Sequence, residues 1–155
     1  QRIMSIAAKG ETNESLLHQL NSLSYFRKSG PKSLGKEDIF KWMIPILDSS
    51  GISAEDQLNT FITHLSEQIE GSITSLGANK NESILVSGGG AYNHYLIKKL
   101  KNRLSIEIPT NEVIDYKEAL IFAFLGLSRF LGKKNTLSSV TGAKKAVCAG
   151  SIFTP

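Results

Sequence analysis

The sequence predicts an α/β protein, rich in helix and built on a small sheet. Three observations carry this. Apolar residues recur at helical spacing through several segments. Two short runs, residues 84–86 and 106–108, read as strands between those helices. Three consecutive glycines, Gly88, Gly89 and Gly90, join the first strand to a helical segment over residues 92–104.

In chain order, residues 13–24 carry Leu16, Leu17, Leu20 and Leu23 on one helical face, with Asn13 as N-cap. Residues 29–35 are rich in Gly, Pro and Ser and read as a loop. Residues 36–43 are helical, and Pro45 is expected to end or kink that helix. Ser53 opens a long helix, with Asp56 three residues on as its capping-box partner. Leu58, Phe61, Ile62, Leu65, Ile69, Ile73 and Leu76 form its apolar stripe, and Gly77 stops it. Residues 79–81 form a polar turn before the first strand. The second strand ends at Pro109, and Asp115 is expected to open a helix running to about Leu131. Apolar residues cover most of that helix, so it is expected to be largely buried. Gly132 ends it, and the tail over residues 137–153 promises only short turns or strands.

A chain of 155 residues is the size of one domain. With 41% hydrophobic and 21% charged residues it has the composition of an ordinary globular protein. No apolar run reaches the ~20 residues of a membrane span, and residues 1–4 carry no signal-peptide pattern, so a membrane partner is not expected; the single cysteine fits a reducing cytoplasm, which is the expected compartment. Position 1 is Gln rather than Met, as in a processed or excised piece. Cys148 is the one cysteine, which excludes an internal disulfide, and its small apolar neighbours suit a packing role. The net charge of +4 suits acidic ligands such as phosphates. Lys98, Lys99, Lys101 and Arg103 read as the solvated face of an amphipathic helix, and with no nucleic-acid module beside them a nucleic-acid partner is not expected.

The chemistry-bearing residues are few. His18, His64 and His94 stand on separate segments without ligand spacing, so no metal site is expected. His18 and His64 read as surface or interfacial positions, while His94 lies close enough to the glycines to approach a ligand. There is no Gly-x-Ser-x-Gly, no Walker-type loop and no Gly-x-Gly-x-x-Gly. None of Asp38, Asp48, Asp56 and Asp115 stands out as a catalytic base, so no catalytic residue is expected in this chain. Gly88, Gly89 and Gly90 have two readings: a tight strand-to-helix turn, or a junction whose free N–H groups and helix dipole take an anion or nucleotide. Glu118 also has two: the closing residue of a capping box with Asp115, or a carboxylate facing a cleft.

Four segments in order add a resemblance. They are Tyr25-Phe26 with Pro31-Lys32-Ser33-Leu34-Gly35-Lys36-Glu37; Val86-Ser87-Gly88-Gly89-Gly90-Ala91-Tyr92-Asn93; Tyr116-Lys117-Glu118-Ala119-Leu120-Ile121-Phe122-Ala123; and Ser139-Val140-Thr141-Gly142-Ala143 with Gly150-Ser151-Ile152. Together they resemble the C-terminal half of the anhydro-N-acetylmuramic acid kinases, of the sugar kinase, Hsp70 and actin-like superfamily. The resemblance spans essentially the whole chain. Leu34 stands where the family more often has Thr.

The resemblance implies a C-terminal half of an actin-like (ribonuclease H-like) ATPase fold, with residues 1–155 as one nucleotide-binding domain. It implies magnesium ATP as cofactor, with Gly88, Gly89 and Gly90 on the adenosine side and Asn93 positioning the nucleotide. Glu118 would face the sugar, anhydro-N-acetylmuramic acid, which such enzymes phosphorylate at the 6-hydroxyl while water opens the anhydro ring. This is a step of bacterial peptidoglycan recycling. The phosphate loop and catalytic aspartate of such kinases belong to the N-terminal half, which these residues do not contain, so the chain alone is expected to be inactive. A partly apolar interdomain surface is expected, and with it self-association into a homodimer. The rival expectations are a stand-alone nucleotide- or muropeptide-binding module and an interaction protein that kept only the fold.

Overall fold

A computed structural model describes residues 2–28, 33–77 and 82–153. The expected polar turn over residues 79–81, and Pro31 and Lys32 of the 29–35 loop, lie outside them. The chain forms two compact units, Gln1–Ile108 and Pro109–Pro155.

The first unit is organised by one long helix. Helices α1 (Arg2–Ala7), α2 (Glu14–Asn21), α3 (Ser24–Arg27), α4 (Lys36–Asp38) and α5 (Ile44–Ser49) precede α6 (Ala54–Ser75). Strand β1 (Ile84–Leu85), helix α7 (His94–Lys101) and strand β2 (Ile106–Glu107) follow it. Helices α1, α2 and α7 all pack on α6.

The expected caps of the first helices form. Asn13 Oδ1 accepts the Leu16 N–H at 2.9 Å, which starts α2. Ser53 Oγ accepts the Asp56 N–H at 3.1 Å, which starts α6. Gly77, at φ +83°, supplies the left-handed residue that ends α6. The Asp56 carboxylate, however, turns to the preceding loop and accepts the Glu11 N–H at 2.7 Å. That bond, with the Ser53 hydroxyl, holds its pKa below the usual aspartate value. Pro45 does not end its helix. The Ile44 N–H reaches five residues back to the Ile39 carbonyl, giving a π-turn over Ile39–Met43 that leads into α5.

Leu16, Leu20 and Met43 form the buried core of this unit, flanked by Leu23, Phe26, Ile39, Ile46, Leu47, Ile52 and Phe61. Each fully buried side chain of this kind contributes about 1.5–3 kcal/mol. Of the expected α6 stripe only Ile62 is fully buried, and Leu76 is 85% exposed. The polar side of α6 is the buried one: Asn59, Thr60, Thr63, His64 and Ser66 all lie inside. They are inside because each makes hydrogen bonds there, which offsets the cost of losing water.

His64, expected at a surface or interfacial position, is fully buried where α6 meets α2. Its Nδ1 is 2.6 Å from Asn21 Oδ1, and the Phe26 ring meets it edge-on at 4.7 Å between centroids. Nε2 is buried without a hydrogen-bond partner. Burial disfavours the imidazolium and lowers the pKa from 6.5 to about 4, with Glu67 opposing.

Strands β1 and β2 pair in parallel, Ile84 with Ile106 and Leu85 with Glu107. The strands are one residue shorter than expected. The small sheet and the helix-rich α/β character are as the sequence predicts.

In the second unit, α8 (Asn111–Phe130) begins four residues before the expected Asp115. Thr110 is the extended N-cap residue, and the Glu112 carboxylate turns back onto its own N–H and the Thr110 hydroxyl, which lowers its pKa. The expected burial of α8 is also corrected: among its residues only Ile114 and Ser128 are buried, and Phe122, Phe124 and Phe130 are each more than half exposed. Apolar residues on every face bury only where something covers them. Gly132, at φ +65°, ends α8 as expected. In the tail, Asn135 clasps residue 149 with both side-chain groups, Nδ2 to the Ala149 carbonyl at 3.0 Å and Oδ1 from its N–H at 2.7 Å. Helix α9 (Ser138–Thr141) is one turn closed by Gly142 at φ +70°.

His64 gives a prediction. The folded state holds it neutral, whereas the unfolded chain takes up a proton below pH 6.5. Stability is therefore full above about pH 6.5 and falls between there and about pH 4, by roughly 2 kcal/mol from this group. Urea denaturation across that window is expected to show the loss, and a folded His64→Gln variant a flatter profile. Equal slopes in both proteins contradict this account of His64.

Candidate functional site: the glycine turn

The site begins where β1 ends. Gly88 has φ +86° and ψ −179°, a conformation open to glycine and strained for any other residue. It turns the chain into a 3₁₀ turn over Gly89–Tyr92, closed by the Ala91 N–H on the Gly88 carbonyl at 2.9 Å and the Asn93 N–H on the Gly90 carbonyl at 3.0 Å. Ala91 is buried and anchors the turn. Asn93 then caps α7, its Oδ1 accepting the Leu96 N–H at 3.0 Å.

The three glycines are not equivalent. Gly88 is required by the backbone itself. Gly89 and Gly90 have no positive φ, and a Cβ at either position meets nothing within 4 Å. Both are exposed. Neither the backbone geometry nor the packing within this chain requires glycine at these two positions.

Gly88, Gly89, Gly90 and Asn93 thus come together in one turn. His94 follows as the first residue of α7 and is exposed. Glu118 lies in the second unit, on the second turn of α8, with an exposed side chain. Its capping-box reading is corrected, because the helix starts at Asn111 and Glu112 does that work.

The basic cluster is at the far end of α7, where Lys98, Lys99 and Lys101 complement the negative end of the helix dipole. Part of this face is not free. Arg103 reaches α6, with Nη1 2.6 Å from Glu70 and Nη2 3.1 Å from Glu67, which raises its pKa. Lys99 Nζ donates to Thr63 Oγ1 at 3.1 Å. Cys148 is half-buried, and a guanidinium nitrogen of Arg129 approaches its Sγ at 3.3 Å.

An apolar groove of about 290 Å³ lies along α6, and no residue of the glycine turn lines it. Tyr25, Phe26 and Leu34 meet Leu65, Ile69 and Ile73 of α6 there. Among the described residues no three His, Cys, Asp or Glu side chains stand together as metal ligands, and no helix is long and apolar enough to cross a membrane.

Fold and site define an α/β protein in which a parallel strand leads through a glycine turn into a capped helix. Comparison with known proteins makes this specific. The family model for anhydro-N-acetylmuramic acid kinase matches residues 3–155, so the chain belongs to that family. It is 35% identical to the anhydro-N-acetylmuramic acid kinase of Cyanothece sp., over 96% of this chain and 41% of that protein. It is 31% identical to the enzyme of the same name from Coxiella burnetii, over 95% of this chain and 41% of that one. The relative from Psychrobacter cryohalolentis is 28% identical, over 94% of this chain and 38% of its own length. The chain therefore spans about two fifths of the length of these curated relatives.

The geometry separates the glycines experimentally. Gly88→Ala is expected to cost about 1–3 kcal/mol of stability, because alanine is strained at that φ. Gly89→Ala is expected to change stability by less than about 1 kcal/mol. Urea denaturation of both variants checks this, and equal costs at the two positions contradict the assigned turn.

Proposed function

We propose that this chain is the nucleotide-side portion of an ATP-dependent kinase acting on anhydro-N-acetylmuramic acid. The observation that supports the reading is the pair Gly89 and Gly90, exposed and not required to be glycine by the backbone or packing of this chain, in a turn between a parallel strand and a capped helix. Family membership supports the activity and the sugar. The same reading takes the fold to be the C-terminal half of an actin-like ATPase and the compartment to be the cytoplasm.

In this reading the backbone of Gly88, Gly89 and Gly90 lies against the adenosine side of the nucleotide. Asn93 holds the first turn of α7 in place through its bond to Leu96. Glu118 faces the sugar from α8. Magnesium arrives with the nucleotide phosphates, as is usual for an ion that keeps several waters and few protein ligands. Bound magnesium ATP supplies the phosphoryl group that passes to the 6-hydroxyl, while water opens the anhydro ring. The base and the phosphate loop belong to the part of the family's length that this chain does not span.

The apolar surface of α8 supports the same proposal. Phe122, Phe124, Leu127 and Phe130 stand exposed on a helix whose composition is that of a buried one. We take their cover to be the remaining length of the kinase, with a homodimer as the other occupant.

The test is calorimetric titration of magnesium ATP and ADP into the chain and into a folded Gly89→Val variant. The expected result is saturable binding by wild type, weakened at least tenfold in the variant. Equal binding by both removes the nucleotide from this turn. Phosphorylation of the anhydro sugar by the chain alone contradicts the division of labour proposed here.

A further inference from the structure

The polar side of α6 does more than fill space. Asn59 is 4% exposed and is the centre of a hydrogen-bond cluster joining three elements. Its Nδ2 donates to the Ala7 carbonyl at 3.0 Å and the Gly10 carbonyl at 2.5 Å, at the corner after α1. Tyr95 Oη, on the first turn of α7, lies 2.8 Å from the same Nδ2, whose two hydrogens are shared among these three acceptors. Its Oδ1 accepts from Thr12 Oγ1 at 2.8 Å. Thr12 lies 3.1 Å from Thr63 Oγ1, which receives Lys99 Nζ one turn further along α7.

The corner is seated tightly. A Cβ on Gly10 would stand 2.2 Å from the Glu55 carbonyl oxygen, so only glycine lets the corner lie against the start of α6. The corner and α6 therefore act as one rigid frame, and the Asn59–Tyr95 bond is the link from that frame to the helix that follows the glycine turn.

We propose that Tyr95 and Asn59 are positioning residues of the glycine turn, setting its place through the first turn of α7. Tyr95 is two residues beyond Asn93, whose side chain caps the same turn of helix. The ligand role of the turn rests on the function proposed above, but its anchoring does not.

Tyr95→Phe is the informative variant. It removes one of the three acceptors that share the two Nδ2 hydrogens of Asn59, and the Ala7 and Gly10 carbonyls remain to take both, so no buried donor is orphaned and the chain folds. Asp56→Ala is the control, since it loosens the same corner through the Glu11 contact without touching α7. Amide hydrogen exchange is followed by NMR at Ala91 and Asn93, whose N–H groups close the turn, with no nucleotide present.

Exchange at both amides is expected to be about tenfold faster in Tyr95→Phe and unchanged in Asp56→Ala. Magnesium ADP titration of the same samples is expected to show an affinity several-fold weaker in Tyr95→Phe alone. Unchanged exchange in Tyr95→Phe, or equal acceleration in both variants, overturns the positioning role. Absence of ADP binding by wild type counts against the proposed function, and exchange then decides the positioning by itself.

Discussion

The described architecture of the first unit depends on the burial of polar side chains along α6. A helix facing three neighbours must put more than one stripe inside, and α6 does so with Asn59, Thr60, Thr63, His64 and Ser66. A buried amide or hydroxyl without a partner costs about 1–3 kcal/mol. Here the partners come from the neighbours themselves: the Asn13 N–H on Thr60, the Ala7 and Gly10 carbonyls on Asn59, Asn21 on His64. These bonds have direction, so they fix where α1, α2 and α7 sit on α6 in a way that apolar contact does not.

That frame gives the glycine turn its context. The turn is short, exposed and built on glycines, which is the kind of segment that wanders unless both ends are held. At one end β1 is paired with β2. At the other, Asn93 caps α7 and Tyr95 is tied to α6. A backbone surface held at both ends loses little entropy when a ligand settles on it, which favours affinity. The conformational load falls on Gly88 alone, leaving Gly89 and Gly90 free to present bare backbone.

Much of this was legible in the sequence. Asn13, Ser53 and Gly77 announce their helix ends by chemistry that acts within a few residues, and the strand, glycine and helix succession is equally local. What was not legible depends on distant partners. The Asp115-x-x-Glu118 spacing imitates a capping box, but Pro109 and Thr110 already start the helix, and the acidic residue that turns back is Glu112. His64 looks like a surface residue because it stands among polar neighbours, and those neighbours are themselves buried. The apolar circumference of α8 predicts burial only if its cover is present. The motif segments at Tyr25-Phe26 and Leu34 carry family resemblance in sequence, and their meeting on one groove of α6 emerges only from the fold.

The most direct test of the central claim is an NMR titration of magnesium ADP into the isotopically labelled chain, following backbone amides in both regions of interest. The account predicts the largest shift changes at Gly88 to Asn93 and the first turn of α7, with Tyr25, Phe26, Leu34 and Ile73 of the groove unmoved. Saturable shifts confined to the groove, with the glycine turn silent, contradict it.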